Sequence, residues 1–325
     1  MPTSVAHATF VLSMRVHTDL ASIRTVHRPV LTTGTFDGVH RGHRTILDRL
    51  TGTARKEEGE SVLFTFHPHP RMVLFSGDSD LKLLCTQQEK VRLLEEAGLD
   101  HLLVIPFSRD FSRMRATDYV REVLVGAIGV RAVVIGYDHR FGRDREGDLR
   151  LLQELGHAYD FNVEEIPAQE VDHIRVSSTK IRHALVDGDL RTANELLGYR
   201  YSLSGVVVKG EGLGRELGFP TANLALIDPH KLVPADGIYA VLVEGAGIAC
   251  KGMMYIGRRP SIATADGSRS IEVNLFGVDR ALYGESLTVR CIDRIRGDMH
   301  FEDMNGLIAQ MERDRMTTEQ RLANL

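Results

Sequence analysis

The sequence predicts an α/β protein with two parts: an N-terminal doubly wound parallel sheet, then a C-terminal antiparallel β-barrel with a terminal helix. Short apolar runs alternate with helical patterns from Pro29 to about Val186, which is typical of parallel strands covered by helices on both faces. After Gly188 the pattern changes to closely spaced apolar runs separated by glycine turns, which favours a closed antiparallel sheet. A length of 325 residues, 43% of them hydrophobic, suits two separate cores.

The N-terminal part contains five strand-like runs and five helical patterns. The predicted strands cover residues 30–33, 61–66, 101–106, 131–136 and 161–166. The predicted helices cover residues 42–56, 86–98, 116–126, 148–158 and 178–187. Ligands of such sheets bind beyond the carboxyl ends of the strands, where the strand order reverses. We therefore expect the loops after the first and fourth strands to line one crevice.

The C-terminal part begins after a short helical pattern at residues 190–197. Its predicted strands cover residues 203–208, 238–243, 248–255, 270–276 and 287–291. A terminal helix is expected because apolar residues recur at helical spacing, and this stripe is interpreted as a packing face. Its members are Met304, Leu307, Ile308 and Met311. The predicted boundaries are 1–187 for the first domain, 188–198 for a linker and 199–325 for the second domain.

Bulk properties exclude several classes of protein. A net charge of −4 and a pI of about 6.4 argue against a non-specific nucleic-acid binder. The most apolar run, residues 123–136, is interrupted by Arg131 and falls short of the ~18 residues of a membrane span. Three cysteines without ligand spacing predict reduced thiols. We expect a cytoplasmic protein without nucleic-acid or membrane partners, and self-association into a homo-oligomer stays open.

Residues 34–43, Gly-Thr-Phe-Asp-Gly-Val-His-Arg-Gly-His, follow the first predicted strand. The glycines allow the backbone to approach a ligand, and a helix beginning near Arg41 would direct free N–H groups at a phosphate. His40 and His43 fall on one face of its first turn, where each can donate a hydrogen bond to a reacting phosphoryl oxygen. This pattern indicates nucleotidyl transfer. Two surface histidines at a helix start are the alternative for His-x-Gly-His alone.

Four further segments carry polar and glycine-rich patterns in chain order. They are residues 65–70 (Thr-Phe-His-Pro-His-Pro), 136–142 (Gly-Tyr-Asp-His-Arg-Phe-Gly), 177–182 (Ser-Ser-Thr-Lys-Ile-Arg) and 214–223 (Gly-Arg-Glu-Leu-Gly-Phe-Pro-Thr-Ala-Asn). Together with residues 34–43 they resemble the motifs of bacterial bifunctional riboflavin kinase/FAD synthetases along nearly the whole chain. The resemblance implies an N-terminal nucleotidyltransferase domain acting on FMN and a C-terminal flavokinase domain.

The resemblance implies that the first domain transfers AMP from ATP to FMN, giving FAD and pyrophosphate. The second pKa of a phosphate monoester is near ~6, so the nucleophile is already an anion and needs no base. His40 and His43 would be catalytic and stabilise the α-phosphate. The implied nucleotide-binding residues of this domain are Gly34, Phe36, Asp37, Gly38, Asp138, Ser178, Thr179 and Arg182. The implied flavin-binding residues are Phe66, Pro68 and Pro70.

Three positions in this domain have competing interpretations. Residues 177–179 also fit an ordinary helix N-cap, which is compatible with nucleotide binding. His139 stands where many family members carry an aromatic hydrocarbon ring, and packing is favoured over titration near the site. His67 and His69 are not favoured as metal ligands, because the neighbouring prolines extend the backbone and no cysteine or carboxylate completes a ligand set.

The second domain contains a glycine-rich loop at residues 209–215 that is neither a Walker loop nor a dinucleotide fingerprint. By resemblance, Thr221 and Asn223 supply oxygen ligands for Mg²⁺, a hard cation. Glu272 would be the catalytic base for a riboflavin hydroxyl; its alternative is a solvent-facing strand carboxylate. The implied nucleotide-binding residues of this domain are Gly210, Gly214, Arg215, Thr221 and Asn223.

The resemblance therefore implies a Mg²⁺-dependent enzyme whose partners are the small molecules riboflavin, FMN, FAD and its substrate ATP. Ser261 and Ile262 depart from the Thr-Phe pair of relatives, and Gly277 replaces a common aspartate. The alternative is a single-activity FMN adenylyltransferase with a flavin-binding regulatory C-terminal domain. A flavin sensor without turnover is disfavoured, since the three implied catalytic residues are all present.

Overall fold

The computed structural model describes residues 14–75, 81–167, 176–210, 213–258 and 269–325. The chain forms two compact units, which we describe separately. The first unit comprises Met1–Leu81 and Gln87–Arg175, and the second comprises Lys82–Thr86 and Val176–Leu325. Residues 176–198 are thus grouped with the second unit, whereas a folding boundary near residue 187 stays a prediction.

The first unit is built on a sheet in which all the paired strands run parallel. Within the described residues, its strands are β1 (Arg15–His17), β2 (Val30–Thr33), β3 (Ser61–His67), β4 (His101–Pro106), β5 (Ala132–Gly136) and β6 (Asn162–Ile166). The five strands predicted from the sequence are present. Strand β1 was not predicted, because a three-residue edge strand is too short to show a pattern.

Helices connect these strands. They are α1 (Arg41–Lys56), α2 (Pro70–Leu74), α3 (Gln87–Glu96), α4 (Arg109–Ser112), α5 (Ala116–Asp118) and α6 (Leu149–Tyr159), with 3₁₀ turns at Ser22–Thr25 and Arg143–Arg145. Helix α5 continues as a π-helix, Tyr119–Ile128, which ends at Gly129 with φ +69°. The sequence predicted one ordinary helix here, because the i, i+3 and i, i+4 pattern does not distinguish the wider π turn.

The strand order of the first unit shows which edge of the sheet is expected to bind a ligand. The order is β1-β4-β3-β2-β5-β6, so β2 and β5 are neighbours from which the chain proceeds in opposite directions. The loops after β2 and β5 both leave from the carboxyl ends of these neighbours, where α/β sheets bind ligands. The predicted doubly wound parallel sheet is confirmed, and residues 34–43 and 136–142 lie at its switch point.

The second unit is a closed barrel in which every neighbouring pair is antiparallel. Its described strands are β7 (Ser202–Val208), β8 (Ala222–Leu226), β9 (Gly237–Gly245), β10 (Ile248–Arg258), β11 (Arg269–Leu275) and β12 (Ser286–Gly297), in the order β10-β11-β8-β7-β12-β9. The predicted barrel is confirmed. Strand β8 was not predicted, because Ala-Asn-Leu-Ala-Leu contains no β-branched residue.

The described helices of this unit are α7 (Ser178–Asp187), α8 (Leu190–Leu197), α9 (Leu213–Glu216) and α10 (Met304–Leu322). Helices α7 and α8 contribute buried residues to the same core as the barrel strands. Asn194 on α8 is buried; its Nδ2 donates to the carbonyl of Cys291 at 3.1 Å, and its Oδ1 accepts from the backbone N–H of Tyr201 at 2.7 Å. Helix α8 is therefore fastened to the barrel.

Helix α10 is attached to the barrel by a buried ion pair. Arg296 on β12 donates from Nε and Nη2 to the Asp314 carboxylate, with Nη2 2.7 Å from Oδ2. Along the expected apolar stripe, Met311 packs against Phe219 and its neighbours, whereas Met304 is 50% exposed. The packing interpretation therefore holds for Met311 and fails at the start of the helix. Across the described residues, no helix is long and apolar enough to cross a membrane.

Candidate active sites

The loop after β2 has an unusual backbone. Phe36 (φ +46°) and Val39 (φ +37°) adopt the left-handed region, which is uncommon for non-glycine residues and costly for a β-branched one. Both side chains are buried, as is that of Asp37. A Cβ on Gly34 would lie 3.0 Å from the Phe36 ring, so the glycine leaves room for that ring. The loop is held by its packing in a conformation that its residues do not favour.

Three rings stack at the start of α1. The ring centroids of His40 and His43 are 3.7 Å apart with planes 11° from parallel, and those of Phe36 and His43 are 4.6 Å apart at 26°. His40 is the N-cap of α1, and its Nδ1 accepts a hydrogen bond from the backbone N–H of His43 at 3.3 Å. A Cβ on Gly42 would lie 3.3 Å from the His40 ring. The structure thus brings the two implied catalytic histidines together.

His43 lies in an environment that opposes protonation. Burial, followed by the neighbouring His40 and Lys90, holds the pKa of His43 well below its usual range. Its Nδ1 is buried and has no hydrogen-bond partner among the described residues. An imidazole in this environment is neutral near pH 7 and keeps one N–H donor.

Lys90 on α3 approaches this loop from a separate element. Its Nζ donates to the carbonyl oxygen of Thr35 at 2.8 Å, and the hydroxyl of Thr65 donates to the same oxygen at 3.5 Å. Lys90 is only 7% exposed. Lys90 was not predicted as a site residue, because a lysine in a predicted helix is ordinarily exposed and nothing local relates it to a loop 55 residues earlier.

The implied flavin-binding residues lie at or just after the carboxyl end of β3. Phe66 is half-buried, and its ring centroid lies 5.2 Å from those of Phe107 and Phe111. Pro68 is exposed and follows a cis peptide bond, while Pro70 begins α2. The structure therefore places an aromatic group here that includes two rings the sequence analysis did not name.

The two histidines of this segment occupy different positions. His69 is the N-cap of α2, where its Nδ1 accepts from the backbone N–H of Arg71 at 3.2 Å. His67 is exposed at the end of β3. His69 therefore caps α2, and the exclusion of His67 and His69 as metal ligands stays a prediction.

The loop after β5 places Asp138 at the surface and His139 against the core. The His139 ring stacks on buried Phe141 with centroids 6.0 Å apart and planes 21° from parallel. Burial lowers the pKa of His139 to about 4, with Arg145 lowering it further and Asp138 opposing the shift. At physiological pH this imidazole is neutral and packs as the aromatic ring of relatives would.

Helix α7 begins where the sequence predicts a phosphate-binding segment. Its N-cap is Ser177, whose Oγ accepts from the backbone N–H of Lys180 at 3.3 Å. The capping interpretation is thus correct for Ser177. Ser178 and Thr179 are the first two helical residues, at the end where backbone N–H groups lack intrahelical partners.

Arg182 lies one turn further along α7, and its Nε donates to the carbonyl of Lys82 at 2.8 Å. Both residues belong to the second unit, whereas His40 and His43 belong to the first. That these residues act on one nucleotide stays a prediction.

The second candidate site follows the register of three barrel strands. Glu272 on β11 is paired with Asn223 on β8 and with Tyr255 on β10, so the three side chains share one face of the sheet. The hydroxyl of Thr221 donates to Oε2 of Glu272 at 3.0 Å. The implied base and the two implied metal ligands therefore come together at the strand edge, with a tyrosine that the sequence analysis did not name.

Glycines make room for this cluster. A Cβ on Gly210 would overlap the carboxamide of Asn223, and a Cβ on Gly214 would lie 3.1 Å from the Thr221 hydroxyl. Arg215, also implied in nucleotide binding, is exposed on α9.

Asn274 supports the same segment from β11. It is 5% exposed, and its Nδ2 donates to the carbonyl oxygen of Pro220 at 2.7 Å. This contact fixes the residue that precedes Thr221. Asn274 lies two residues from Glu272, so strand alternation predicts that both side chains are on the same face. That alternation does not predict which carbonyl accepts a hydrogen bond from the Asn274 amide.

The departures from the family pattern differ in what the structure describes. Ser261 and Ile262 lie outside the described residues. Gly277 follows β11 with φ +73°, a left-handed turn that glycine adopts without steric cost.

Two family models match the chain in consecutive parts. The FAD synthetase model matches residues 22–180, and the riboflavin kinase model matches residues 197–322. The first match contains the loop after β2 with its paired histidines, and the second contains Thr221, Asn223 and Glu272.

Relatives that match most of the chain carry one name. The chain is 39% identical over 292 residues to the bifunctional riboflavin kinase/FMN adenylyltransferase of Escherichia coli (strain K12), covering 90% of this chain and 92% of the relative. It is 34% identical over 296 residues to that of Listeria monocytogenes, covering 91% and 93%.

A solved structure from Streptococcus pneumoniae, described as a macrolide-efflux protein, is also similar to this chain. It superposes with a TM-score of 0.83 at 31% identity, covering 94% of this chain and 98% of that one. Both family models and the named relatives indicate the same two activities. The chain belongs to the family of bifunctional riboflavin kinase/FMN adenylyltransferases, enzymes that use ATP to phosphorylate riboflavin and to adenylylate FMN.

Proposed function

We propose that each activity is carried by one of the two residue clusters described above. The loop of residues 34–43 adenylylates FMN, and the cluster of Thr221, Asn223 and Glu272 phosphorylates riboflavin. One observation carries this assignment: the Thr221 hydroxyl is 3.0 Å from Glu272, so the proposed base and one proposed metal ligand are neighbours. Among the described residues, no carboxylate is among the groups that shift the pKa of His43.

In adenylyl transfer, a phosphate oxygen of FMN attacks the α-phosphorus of ATP and pyrophosphate leaves. The attacking oxygen is already ionised, so the site has to position the reactants and neutralise charge. His40 and His43 donate hydrogen bonds to the α-phosphate as charge accumulates on it, and the N-terminus of α1 adds a positive partial charge.

The remaining residues of this site bind the two substrates. Residues at the switch point contact ATP: Gly34, Phe36, Asp37, Gly38 and Asp138. The start of α7, with Ser178, Thr179 and Arg182, binds the β- and γ-phosphates that leave together. The shelf of Phe66, Pro68 and Pro70 receives the isoalloxazine ring of FMN.

In riboflavin phosphorylation, Glu272 accepts the proton of the riboflavin hydroxyl as that oxygen attacks the γ-phosphorus of ATP. The hydrogen bond from Thr221 orients the carboxylate. Gly210, Gly214 and Arg215 contact the phosphates; the glycines permit close approach of the backbone, and the arginine contributes charge.

Mg²⁺ fits the donor set of this second site. Thr221 and Asn223 offer a hydroxyl and an amide oxygen, the hard ligands that Mg²⁺ prefers, and the missing side chain of Gly210 leaves room beside Asn223. The described residues contain no group of three or more histidines, cysteines or carboxylates suited to a metal, so ATP phosphates and water would complete the coordination. The bound ion would neutralise charge on the triphosphate.

We also propose a cytoplasmic location without nucleic-acid or membrane partners. A net charge of −4 supports the absence of non-specific nucleic-acid binding. Sedimentation velocity at several concentrations would decide whether the protein forms a homo-oligomer.

A time course tests the proposal. The purified protein is incubated with ATP and riboflavin, or with ATP and FMN, with Mg²⁺ or with EDTA, and FMN and FAD are separated chromatographically. We expect FMN and then FAD from riboflavin, FAD alone from FMN, and neither product with EDTA. FAD from FMN without any FMN from riboflavin would instead support the single-activity enzyme with a regulatory second domain.

A further inference from the structure

Lys90 is an unusual residue for a helix of the first unit. It is 7% exposed, and lysine is almost never buried unless it is paired. Among the described residues no carboxylate lies within ion-pair distance of its Nζ, and its hydrogen-bond acceptor is the Thr35 carbonyl at 2.8 Å. Desolvating an ammonium group for one neutral acceptor is costly. Such a residue needs a reason beyond stability.

The hydrogen bond of Lys90 controls the loop that carries the rings. Thr35 directly precedes Phe36, which has φ +46° and whose ring stacks on His43. The other donor to this carbonyl, Thr65, is 3.5 Å away, so the shorter, charge-assisted bond from Lys90 is the stronger of the two. The position of the Thr35 carbonyl sets where the left-handed turn begins and hence where the Phe36 ring meets His43.

The charge of Lys90 also acts on His43. The ionisable groups that act on His43 within the described chain are His40, at the start of its own helix, and Lys90, on α3. Both lower the pKa of His43 in addition to burial. The nearby cation therefore adds to the effect of burial, which keeps the imidazole uncharged while it serves as a donor.

We propose that Lys90 is a positioning residue for FMN adenylylation: it anchors the Thr35 carbonyl, holds Phe36 against His43, and provides a positive charge near His43. This rests on the proposed roles of His40 and His43. The division of labour follows a known chemical logic, in which a neutral imidazole donates a hydrogen bond to a developing anion while its surroundings suppress protonation. The buried ammonium group supplies positive charge, and the imidazole N–H groups direct hydrogen bonds at the α-phosphate.

Four variants separate these contributions. Lys90→Met removes both the hydrogen bond and the charge, Lys90→Gln keeps a donor without the charge, and Lys90→Arg keeps the charge. Lys56→Met, at an exposed position near the end of α1, is the matched control. Each variant is assayed with ATP, Mg²⁺ and FMN for adenylylation, and with riboflavin for phosphorylation. His43 is titrated by NMR with ring-labelled histidine, and its signal is identified by its loss in His43→Gln.

We expect Lys90→Met to lower kcat for adenylylation by about 10²-fold, the usual effect of misplacing a catalytic group by about 1 Å. Riboflavin phosphorylation and the KM for riboflavin should not change. The pKa of His43 should rise in Lys90→Met and Lys90→Gln, and Lys90→Arg should recover most of the activity. Lys56→Met should match the wild type in every assay.

Two results would overturn the inference. One is adenylylation at the wild-type rate in Lys90→Met. The other is a His43 titration that stays the same in Lys90→Gln while Lys90→Arg is as inactive as Lys90→Met, which would reduce Lys90 to a packing residue. If His43→Gln itself adenylylates normally, the proposed role of the histidines fails, and the two failures are thereby distinguished.

Discussion

The proposed adenylylation site and the proposed kinase site present different atoms to their substrates. The first cluster presents nitrogen: two stacked imidazoles on the loop after β2, and the Lys90 ammonium bound to the Thr35 carbonyl of that loop. The cluster on β8 and β11 presents oxygen: a hydroxyl, an amide and the Glu272 carboxylate. The ionisation state of each nucleophile explains the difference. An FMN phosphate needs only charge neutralisation, whereas a riboflavin hydroxyl must lose a proton.

The two sites also differ in how the backbone positions them. In the first unit, a strained loop at the switch point depends on packing contacts from β3 and α3. In the second, strand register places Asn223, Glu272 and Tyr255 in one row. The loop can place groups that no regular element would bring together, and the barrel provides rigidity without strain.

The largest effect that would sharpen this comparison is expected for Glu272→Gln. The substitution keeps size and hydrogen-bonding reach but removes the proton acceptor, so FMN formation should fall by roughly 10²–10⁴-fold. FAD synthesis from supplied FMN should not change. Both are measured chromatographically, with Glu285→Gln, an exposed position, as the control. Normal riboflavin phosphorylation in Glu272→Gln would show that the base is another group.

The reciprocal change is the double substitution of His40 and His43 by alanine. Each lost donor to a developing phosphoryl charge should cost about 10²-fold or more, so FMN should accumulate from riboflavin while FAD does not form. His27→Ala, at an exposed position of the same unit, is the control. Unchanged FAD synthesis in the double variant would remove these histidines from the mechanism.

A third prediction concerns the stability of the second unit when it is isolated from the first. A fragment of residues 176–325 should be more stable than one of residues 199–325, because Ile181, Leu185 and Leu190 are at most 2% exposed in the shared core. Each buried aliphatic side chain contributes ~1.5–3 kcal/mol, so a difference of several kcal/mol is expected in urea unfolding. Both fragments lack residues 82–86, so the difference reports on α7 and α8. Equal midpoints would contradict it.

The smallest expected effect concerns the dependence of stability on pH. The pKa of His139 is lowered to about 4 in the folded protein, whereas an unfolded histidine titrates near ~6.5. Between these values the unfolded chain binds more protons, so stability falls as the pH decreases through this window and is fully present above it. His139→Phe should reduce that loss.

Urea unfolding at pH 7.5 and pH 5 would measure the effect of His139→Phe. His43 is also held neutral and contributes in the same direction in both proteins, so the difference between them reports on His139. Identical pH dependence in the two proteins would mean that folding does not lower the pKa of His139.

Much of the fold was predictable because its signals are local. Five parallel strands and five barrel strands appear as apolar runs, and the spacing of His40 and His43 places them on one helical turn. Strands β1 and β8 were missed because one is three residues long and the other has a weak strand composition. The placement of the ligand edge follows from these runs through general rules of sheets.

What the sequence did not predict depends on distant contacts. Lys90 meets Thr35 across 55 residues, and Asn274 meets Pro220 across 54. The stacking of Phe36 on His43 requires a left-handed residue, which phenylalanine does not favour and no local propensity predicts. Such contacts arise from tertiary packing, which determines backbone geometry at a site more than local preference does.

The segment Lys82–Thr86 belongs to the second unit but is synthesised long before the rest of that unit. Leu84 is fully buried in the barrel core, and its carbonyl accepts from Nζ of Lys231, 147 residues later in the chain. At a translation rate of ~5–20 residues per second, Lys231 is synthesised about 7–30 s after Leu84. The first unit is therefore synthesised together with a short segment whose binding partners, in the second unit, have not yet been translated.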